Sequence, residues 1–160
     1  MNPTRKWAIG DKVFLAPQEM LAYERIAAFG EVSGDSSPTH LTDAAAQAAN
    51  YPRALAHGIL GMAFCGRMIE HEFPDSKLLT LQARFVAMTF HGDTLSGIGT
   101  IEAIDTETDN VRLTLIVNNQ RDMTVLRGSA TLCCSALIQS QRVLPGESEA
   151  LSCQRPWEGP

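Results

Sequence analysis

The feature that most limits how this chain can fold is an apolar segment at 54–70. Read as a helix, its first three turns carry apolar residues or glycine on nearly every face, and charged residues return only at Arg67 and Glu70. A helix of this composition is normally buried by other parts of the protein. Each of its glycines lowers helix propensity by about 1 kcal/mol, which close packing against a sheet or a ligand would offset. The rest of the chain is therefore expected to wrap this helix.

Beyond Pro74 the sequence pattern changes to a period of two. Apolar residues alternate with other residues in stretches at 79–87, 94–104, 111–117 and 123–134. Such alternation predicts β-strands, and the short connections indicate an antiparallel meander. An apolar helix followed by a curved antiparallel sheet packs with the sheet around the helix, which is an α+β fold. A single sheet layer would leave one sheet edge and one flank of the helix open, so a homodimer or higher homo-oligomer is expected.

The residues before the apolar segment predict a short strand and two helices. The strand is expected at 12–15 and the first helix at 18–32, where apolar positions recur at spacings of three and four. Gly34 suits the end of that helix, because glycine readily adopts the left-handed conformation found there. A shorter helix is expected at 43–50, with Thr42 as its N-cap. The first helix therefore leads directly into a polar stretch.

Length and charge exclude several classes of protein. The 160 residues are expected to form one domain at 1–138 and an extended or poorly ordered tail at 139–160. A net charge of −5 with scattered lysines and arginines provides no basic patch for nucleic acid. No apolar run reaches the ~20 residues of a membrane span, and the first residues lack the apolar core of a secretion signal. A cytoplasmic protein without nucleic-acid or membrane partners is expected.

The polar stretch at 33–40 places a carboxylate, Asp35, and an imidazole, His40, five residues apart. Serine, glycine and proline around them favour turns, so both side chains are expected on a loop. Because His57 and Gly58 open the apolar helix, an acid–base pair here would face a helix N-terminus, whose N–H groups stabilise charge on a carbonyl oxygen. Taken singly, Asp35 also fits a turn former and His40 a polar residue beside a helix.

Two stretches together carry a family resemblance, GDSSPTH at 34–40 and AHGIL at 56–60. They resemble the MaoC-like, (R)-specific enoyl-CoA hydratase family of hotdog-fold proteins. The shared pattern is an acid, four residues, a histidine, and then a helix that opens with His-Gly or Pro-Gly. The resemblance covers about 10–132 and implies the hotdog fold, a curved antiparallel sheet wrapped around a long central helix. Weaker matches are RF at 84–85, GDTL at 92–95 and NQ at 119–120.

By that resemblance, Asp35 and His40 are the catalytic pair of a hydro-lyase, and the backbone N–H of Gly58 helps to hold the thioester oxygen. The implied reaction is reversible syn hydration of a trans-2-enoyl-CoA, or a related enoyl thioester, to (R)-3-hydroxyacyl-CoA. Either member of the pair could be the acid or the base. The chain departs from the family at Ser37, usually Asn, and at Thr39, usually aliphatic, so the hydrogen bonds that shape this loop are expected to differ.

The remaining expectations concern the surroundings of the pair. Ser37, His57 and Ile59 are candidates to line the site, although His57 also fits simple packing at the helix start. Arg84 and Arg121 are candidates to contact coenzyme A phosphates. The substrate would be an acyl-CoA or acyl-carrier thioester, and no cofactor is expected. The spacing of cysteines and histidines predicts no metal site.

Two other functions stay open. A hotdog acyl-CoA thioesterase with a carboxylate on the central helix is disfavoured, because the buried part of 54–70 carries no acid. A non-catalytic thioester-binding subunit, paired with a second hotdog chain, is disfavoured because both Asp35 and His40 are present. The alanine-rich segment at 44–51 is expected to overhang the acyl pocket and to influence chain length.

Overall fold

The structure is a computed structural model and describes residues 7–134. The predicted tail at 139–160 lies outside the described residues, so the predicted domain boundary stays a prediction. The helices are α1 (Tyr23–Ser33), α2 (Pro38–Leu41), α3 (Asp43–Ala48) and α4 (Gly58–Glu72). The strands are β1 (Lys12–Met20), β2 (Lys77–Phe85), β3 (Thr94–Asp105), β4 (Asn110–Asn118) and β5 (Thr124–Cys133).

The strands form one antiparallel sheet in the order β1-β3-β4-β5-β2. The strands β3, β4 and β5 follow one another as the predicted meander. The prediction is wrong for β2, which pairs with β5 rather than with β3. Because β1 occupies the free edge of β3, the edge of β5 is the one left for β2. The sheet and the helices give the predicted α+β arrangement.

The core lies between the sheet and α4. The predicted alternation is confirmed most clearly in β4, whose buried and less buried positions alternate along its length. Its inward side chains pack in one cluster with the buried face of α4, so removal of apolar surface from water holds the two together. The cluster includes Val111, Leu113, Leu115 and Val117 of β4 and Phe64, Cys65, Met68 and Ile69 of α4.

The helix α4 is covered on one side only within the described part of the chain. Its buried residues recur at spacings of three and four, which is the pattern of a single face. On another face, Ile59 is 45% exposed and Ala63 is also exposed. The five-stranded sheet thus covers one flank of the helix and leaves another flank open within the described residues, as expected for a single sheet layer.

The N-terminal elements differ from the sequence prediction in two places, the length of β1 and the additional short helix α2. The strand β1 continues to Met20, where a helix was expected, because its main chain pairs with the start of β3. The helix α1 ends as predicted at Gly34, whose φ is 79°. Thr42 caps α3 as predicted, since its hydroxyl accepts a hydrogen bond of 3.2 Å from the N–H of Ala45. No helix within residues 7–134 is long and apolar enough to cross a bilayer.

Candidate active site

The carboxylate of Asp35 is carried by the Asp35 loop, residues 34–37, between α1 and α2. The loop folds back on α1, where the Ser36 hydroxyl donates to the carbonyl of Gly30 at 3.2 Å. A Cβ atom on Gly30 would lie only 2.9 Å from the main-chain oxygen of Asp35, so glycine is required for this approach. The side chain of Asp35 is 58% exposed. The loop thus presents the carboxylate outward while its main chain packs on α1.

His40 lies on α2 rather than on the loop, because Pro38 begins a short helical turn. Its Nδ1 lies 3.0 Å from the carbonyl oxygen of Leu55. Since a carbonyl only accepts hydrogen bonds, Nδ1 carries the hydrogen, and the neutral ring has its lone pair on Nε2. That Nε2 lies 3.9 Å from Oδ2 of Asp35. The structure therefore brings together the two residues that the sequence singled out. The main-chain carbonyl of Leu55 orients the histidine.

His57 lies directly behind this pair, at the N-terminus of α4. It is 3% exposed, and its Nε2 donates to the main-chain oxygen of Asp35 at 2.8 Å. Its ring stacks on that of His40, with ring centroids 3.9 Å apart and planes 28° apart. His57 is therefore part of the site, in contact with both members of the pair.

The side chains of Asp35, His40 and His57 form a cluster whose possible ligand atoms lie within 4.8 Å of one another. A metal ion needs lone pairs from these atoms. The Nε2 of His57 carries the hydrogen that it donates to a carbonyl, so it has no lone pair to offer. The lone pair of His57 then lies on Nδ1, which is buried and has no hydrogen-bond partner among the described residues. Facing Nε2 of His57 there remain two ligand atoms, one from Asp35 and one from His40, fewer than the three or four protein ligands of zinc sites. The arrangement suits proton transfer better than metal binding.

An apolar cleft of about 450 Å³ opens beside His40. It lies between the N-terminal turns of α4, the segment after β2 and the start of β5. Its volume falls in the range typical of small-molecule sites. The walls are mainly apolar, so they suit a hydrocarbon chain better than a charged group. The walls include His40, Leu55, Gly58, Phe85, Met88 and Leu126.

Gly58 is the first residue of α4 and forms part of the cleft wall. Its N–H has no hydrogen-bond acceptor within residues 7–134, as expected for the first turn of a helix. The ring of Phe85 covers the same point, because a Cβ on Gly58 would lie 3.4 Å from that ring. The cleft thus contains a free N–H at a helix N-terminus, where the peptide dipoles favour negative charge.

A family model described as "MaoC like domain" matches residues 5–120. The chain belongs to the MaoC-like domain family. Solved structures agree. The (R)-hydratase from A. caviae involved in PHA biosynthesis is similar with a TM-score of 0.73 and 23% identity, over 79% of this chain and 96% of that chain. The R-hydratase PhaJ1 from Pseudomonas aeruginosa is similar with a TM-score of 0.74 and 24% identity, over 96% of this chain and 94% of that chain.

A heteromeric relative is similar as well. The ChsH1-ChsH2 complex from Mycobacterium tuberculosis gives a TM-score of 0.69 and 12% identity, over 79% of this chain and 98% of the matched chain. These likenesses establish the hotdog fold predicted from the sequence. The MaoC-like fold therefore occurs in proteins whose descriptions name an (R)-hydratase and in a complex of two different subunits.

The two departures from the usual MaoC-like loop contact each other. The hydroxyl groups of Ser37 and Thr39 lie 3.0 Å apart and share a hydrogen bond. Ser37 is also the N-cap of α2, and its carbonyl accepts from the N–H of His40 at 2.9 Å. Ser37 thus supports the backbone that carries His40, and it does not contribute to the cleft wall.

Other residues assigned to the MaoC-like site lie farther out. Ile59 is not among the residues that line the cleft, and Arg84 and Arg121 are exposed and also outside it. The segment at 44–51, expected to overhang an acyl pocket, contributes nothing to the lining. The walls come instead from the segment at 85–89, which the strand pattern alone did not mark as part of a site.

Sequence reasoning also missed a buried ion pair. Asp93, which the sequence presents as a turn residue after Gly92, is fully buried. Its carboxylate accepts from Arg53 at 2.6 Å and from the side chain of Gln120 at 3.0 Å. No local signal distinguishes such an aspartate from an exposed one, since its partners lie 40 and 27 residues away.

Proposed function

We propose that this protein is a hydro-lyase that reversibly adds water syn to a trans-2-enoyl-CoA, or a related enoyl thioester, to give the (R)-3-hydroxyacyl thioester. One observation carries the proposal. Oδ2 of Asp35 lies 3.9 Å from Nε2 of His40, a residue that lines the apolar cleft, and both atoms are hydrogen-bond acceptors when the carboxylate is ionised and the ring is neutral. Membership of the MaoC-like family supports the same class of reaction.

The pair can activate one water molecule. Two acceptors at this distance are close enough for one water to donate a hydrogen bond to each. As the water oxygen bonds to Cβ of the substrate, the π electrons of the double bond move toward the thioester, and a water proton passes to the pair. A proton from the pair is then added to Cα. The pair thus gives up the proton that it gained from water, and it ends as it began.

Gly58 supplies the second element of the proposed mechanism. Negative charge develops on the thioester oxygen while water adds to Cβ. The free N–H of Gly58, at the start of a 15-residue helix, is suited to donate a hydrogen bond to that negatively charged oxygen. A donor of this kind contributes about 10²–10³-fold to the rate in other oxyanion holes. The acyl chain would then lie along Phe85 and Met88 in the cleft.

The rest of the proposed substrate is a coenzyme A or acyl-carrier phosphopantetheine arm. We assign its phosphates to Arg84 and Arg121, both exposed. Hydration changes no oxidation state overall and the pair supplies both proton transfers, so the proposed reaction requires no metal or redox cofactor. Turnover is therefore expected to survive exhaustive treatment with a chelator, and loss of turnover that added metal restores would contradict the assignment.

We propose that the protein works as a homodimer or a higher homo-oligomer. The strand β2 is an edge of the sheet, and it exposes the apolar side chains of Leu78, Leu79 and Phe85. The exposed side of α4 adds Ile59. An open edge with apolar residues is a surface that proteins normally cover. Light scattering on the purified protein would give the mass directly, and a monomer at micromolar concentration would contradict the proposal.

The deciding experiment follows the absorbance of the enoyl thioester with crotonyl-CoA and with a longer enoyl-CoA. Asp35→Asn and His40→Ala are each expected to lower turnover by about 10²–10⁴-fold, the usual contribution of a general acid or base. His71→Gln is the control, because His71 is exposed on the far end of α4. The product should be the (R)-3-hydroxyacyl thioester, without free thiol.

Two other results would assign a different function. Release of free thiol from the thioester would identify a thioesterase. A folded protein that binds the thioester but does not turn it over, and that copurifies with a second hotdog chain, would identify a non-catalytic subunit. Wild-type activity in both Asp35→Asn and His40→Ala would exclude the proposed pair.

A further inference from the structure

We propose that His57 is a positioning residue, which holds the main chain of the Asp35 loop and so sets the distance between the Asp35 carboxylate and His40. This role rests on the proposed function, since it concerns the same reaction. It is distinct from lining the substrate site, because His57 lies outside the cleft wall.

The ring of His57 has a single orientation because aromatic rings pack on it from two sides. His40 stacks on it at 3.9 Å, and the ring of Phe29 lies 4.9 Å away at an angle of 59°. The residue is almost fully buried, so it cannot turn toward solvent. The direction of its Nε2–H is therefore determined by packing, before any hydrogen bond forms.

That N–H holds the carbonyl of Asp35. The hydrogen bond is 2.8 Å long, whereas the other two bonds that tie Asp35 and Ser36 to α1 are longer, at 3.2 Å from Ser36 to Gly30 and 3.3 Å from Asp35 to Ser33. On another side, the same carbonyl oxygen lies 2.9 Å from the point where Gly30 would carry a Cβ. The carbonyl is thus confined between α1 and the start of α4.

The carboxylate of Asp35 has no comparable support of its own. Among the described residues its nearest charged or titratable partners are the two histidines, at 3.8 Å from His57 and 3.9 Å from His40, and neither is within hydrogen-bonding distance. The side chain is also more than half exposed. The position of the carboxylate relative to His40 therefore follows from the main chain of Asp35. His57 contacts both that main chain and the ring of His40.

Two substitutions separate the hydrogen bond of His57 from its ring. His57→Gln keeps an N–H near the position of Nε2 without the ring, and His57→Phe keeps the ring without the donor. Loss of the donor is expected to lower kcat by about ten- to a hundredfold, because small misplacements of reacting groups are costly. KM should change by no more than about twofold, because His57 does not touch the cleft. His57→Gln should retain kcat within a few-fold of wild type, and His71→Gln, on the same helix, should match wild type.

Nuclear magnetic resonance gives a readout that does not depend on turnover. At a pH where the imidazoles are neutral, the ¹⁵N spectrum should show His57 with its hydrogen on Nε2, and His40 with its hydrogen on Nδ1. Amide exchange within the Asp35 loop should be faster in His57→Phe than in wild type, and His57→Gln should restore the slower rate. A bare Nε2 on His57 would overturn the proposal.

The outcomes distinguish this proposal from the proposed function. Wild-type kcat in folded His57→Phe, or equal loss in His57→Gln and His57→Phe, would overturn the positioning role even if the protein is a hydratase. If wild type hydrates no enoyl thioester, the proposed function fails, and the tautomer and the exchange rates still decide the role of His57. If His57→Phe does not fold, the tautomer of wild type and the kcat of His57→Gln decide it.

Discussion

The guanidinium of Arg53 lies 2.6 Å from the carboxylate of Asp93, and the carboxylate is completely buried while the side chain of Arg53 is 38% exposed. The same carboxylate accepts hydrogen bonds from the N–H of Phe90 and from the side chain of Gln120. A single group therefore joins the segment before α4, the turn before β3 and the turn between β4 and β5.

Replacing Asp93 is expected to destabilise the protein. Asp93→Asn leaves Arg53 without its partner and places an amide where three donors converge, at a cost of roughly 2–3 kcal/mol in the free energy of unfolding. The cost stays below that of a fully buried pair because Arg53 reaches solvent. Urea unfolding measures it. Glu102→Gln is the matched control, since it breaks an exposed pair with Arg112 worth less than about 1 kcal/mol. Equal losses in the two variants would contradict this reading.

Gly30→Ala is expected to lower activity without changing any side chain of the site. Alanine favours the interior of α1, but its Cβ would lie 2.9 Å from the Asp35 oxygen, so the Asp35 loop must shift. A shift of a few tenths of an ångström should reduce kcat by about tenfold. Gly66→Ala is the control, because nothing lies within 4 Å of its added Cβ, and it should stabilise α4 by up to about 1 kcal/mol. Full activity in Gly30→Ala would show that the loop tolerates displacement.

Phe85→Ala is expected to change the preferred acyl chain. The ring of Phe85 covers the wall at Gly58, so its removal enlarges the cleft. The ratio of kcat/KM for a long enoyl-CoA to that for crotonyl-CoA should rise by about tenfold, in line with the effect of a methylene group or two in an apolar pocket. Leu79→Ala, on the same strand but outside the cleft, should leave the ratio unchanged. An unchanged ratio in Phe85→Ala would place the acyl chain elsewhere.

Among the described residues, Cys65 and Cys134 are free cysteines, and both are expected to resist alkylation in the folded state. Burial raises the pKa of the Cys65 thiol to about 12 and that of the Cys134 thiol to about 11, although a hydrogen bond with Ser76 acts in the opposite direction on Cys134. At pH 8 the reactive thiolate would therefore be about one part in ten thousand of Cys65 and about one part in a thousand of Cys134. Iodoacetamide labelling followed by peptide mass spectrometry should detect both only after unfolding.

The same shifts predict the direction of a pH effect on stability. A thiol whose pKa is raised in the folded state stabilises the fold below its unfolded pKa of about 8.5, and this contribution is lost as pH rises through the folded pKa. The free energy of unfolding should therefore fall between pH 9 and 12 less steeply in Cys65→Ala than in wild type. Identical slopes, or rapid labelling of Cys65 in the native protein, would contradict the burial of this thiol.

Local patterns in the sequence predicted the local structure well. Gly34 ends α1 and Thr42 caps α3, as predicted. These preferences depend on only a few neighbouring residues, so the sequence alone reports them. The period of two predicted β4 and the meander from β3 to β5 for the same reason. The spacing of Asp35 and His40 indicated a pair, and the structure brings the two within 4 Å.

Features decided by distant partners were missed. The end of β1 was expected to be helical, but Met20 pairs with Thr94, and no local pattern reports that contact. The order of the sheet depends on which edges are free after β1 and β3 pair. His57 was considered as a lining residue or a packing residue, and its bond to the Asp35 loop spans 22 residues. The acceptor for Nδ1 of His40 was missed for a further reason. It is the main-chain oxygen of Leu55, which no side-chain pattern marks.

Leu55 contributes to the proposed site in two independent ways. Its main-chain carbonyl orients the imidazole of His40, while its side chain belongs to the cleft wall. Any residue at this position supplies the same carbonyl, so its side chain is free to be exchanged during evolution or engineering. Substitutions at this position could therefore change which acyl groups fit the cleft while Nε2 of His40 keeps its orientation. The range of substrates is then easier to change than the reaction.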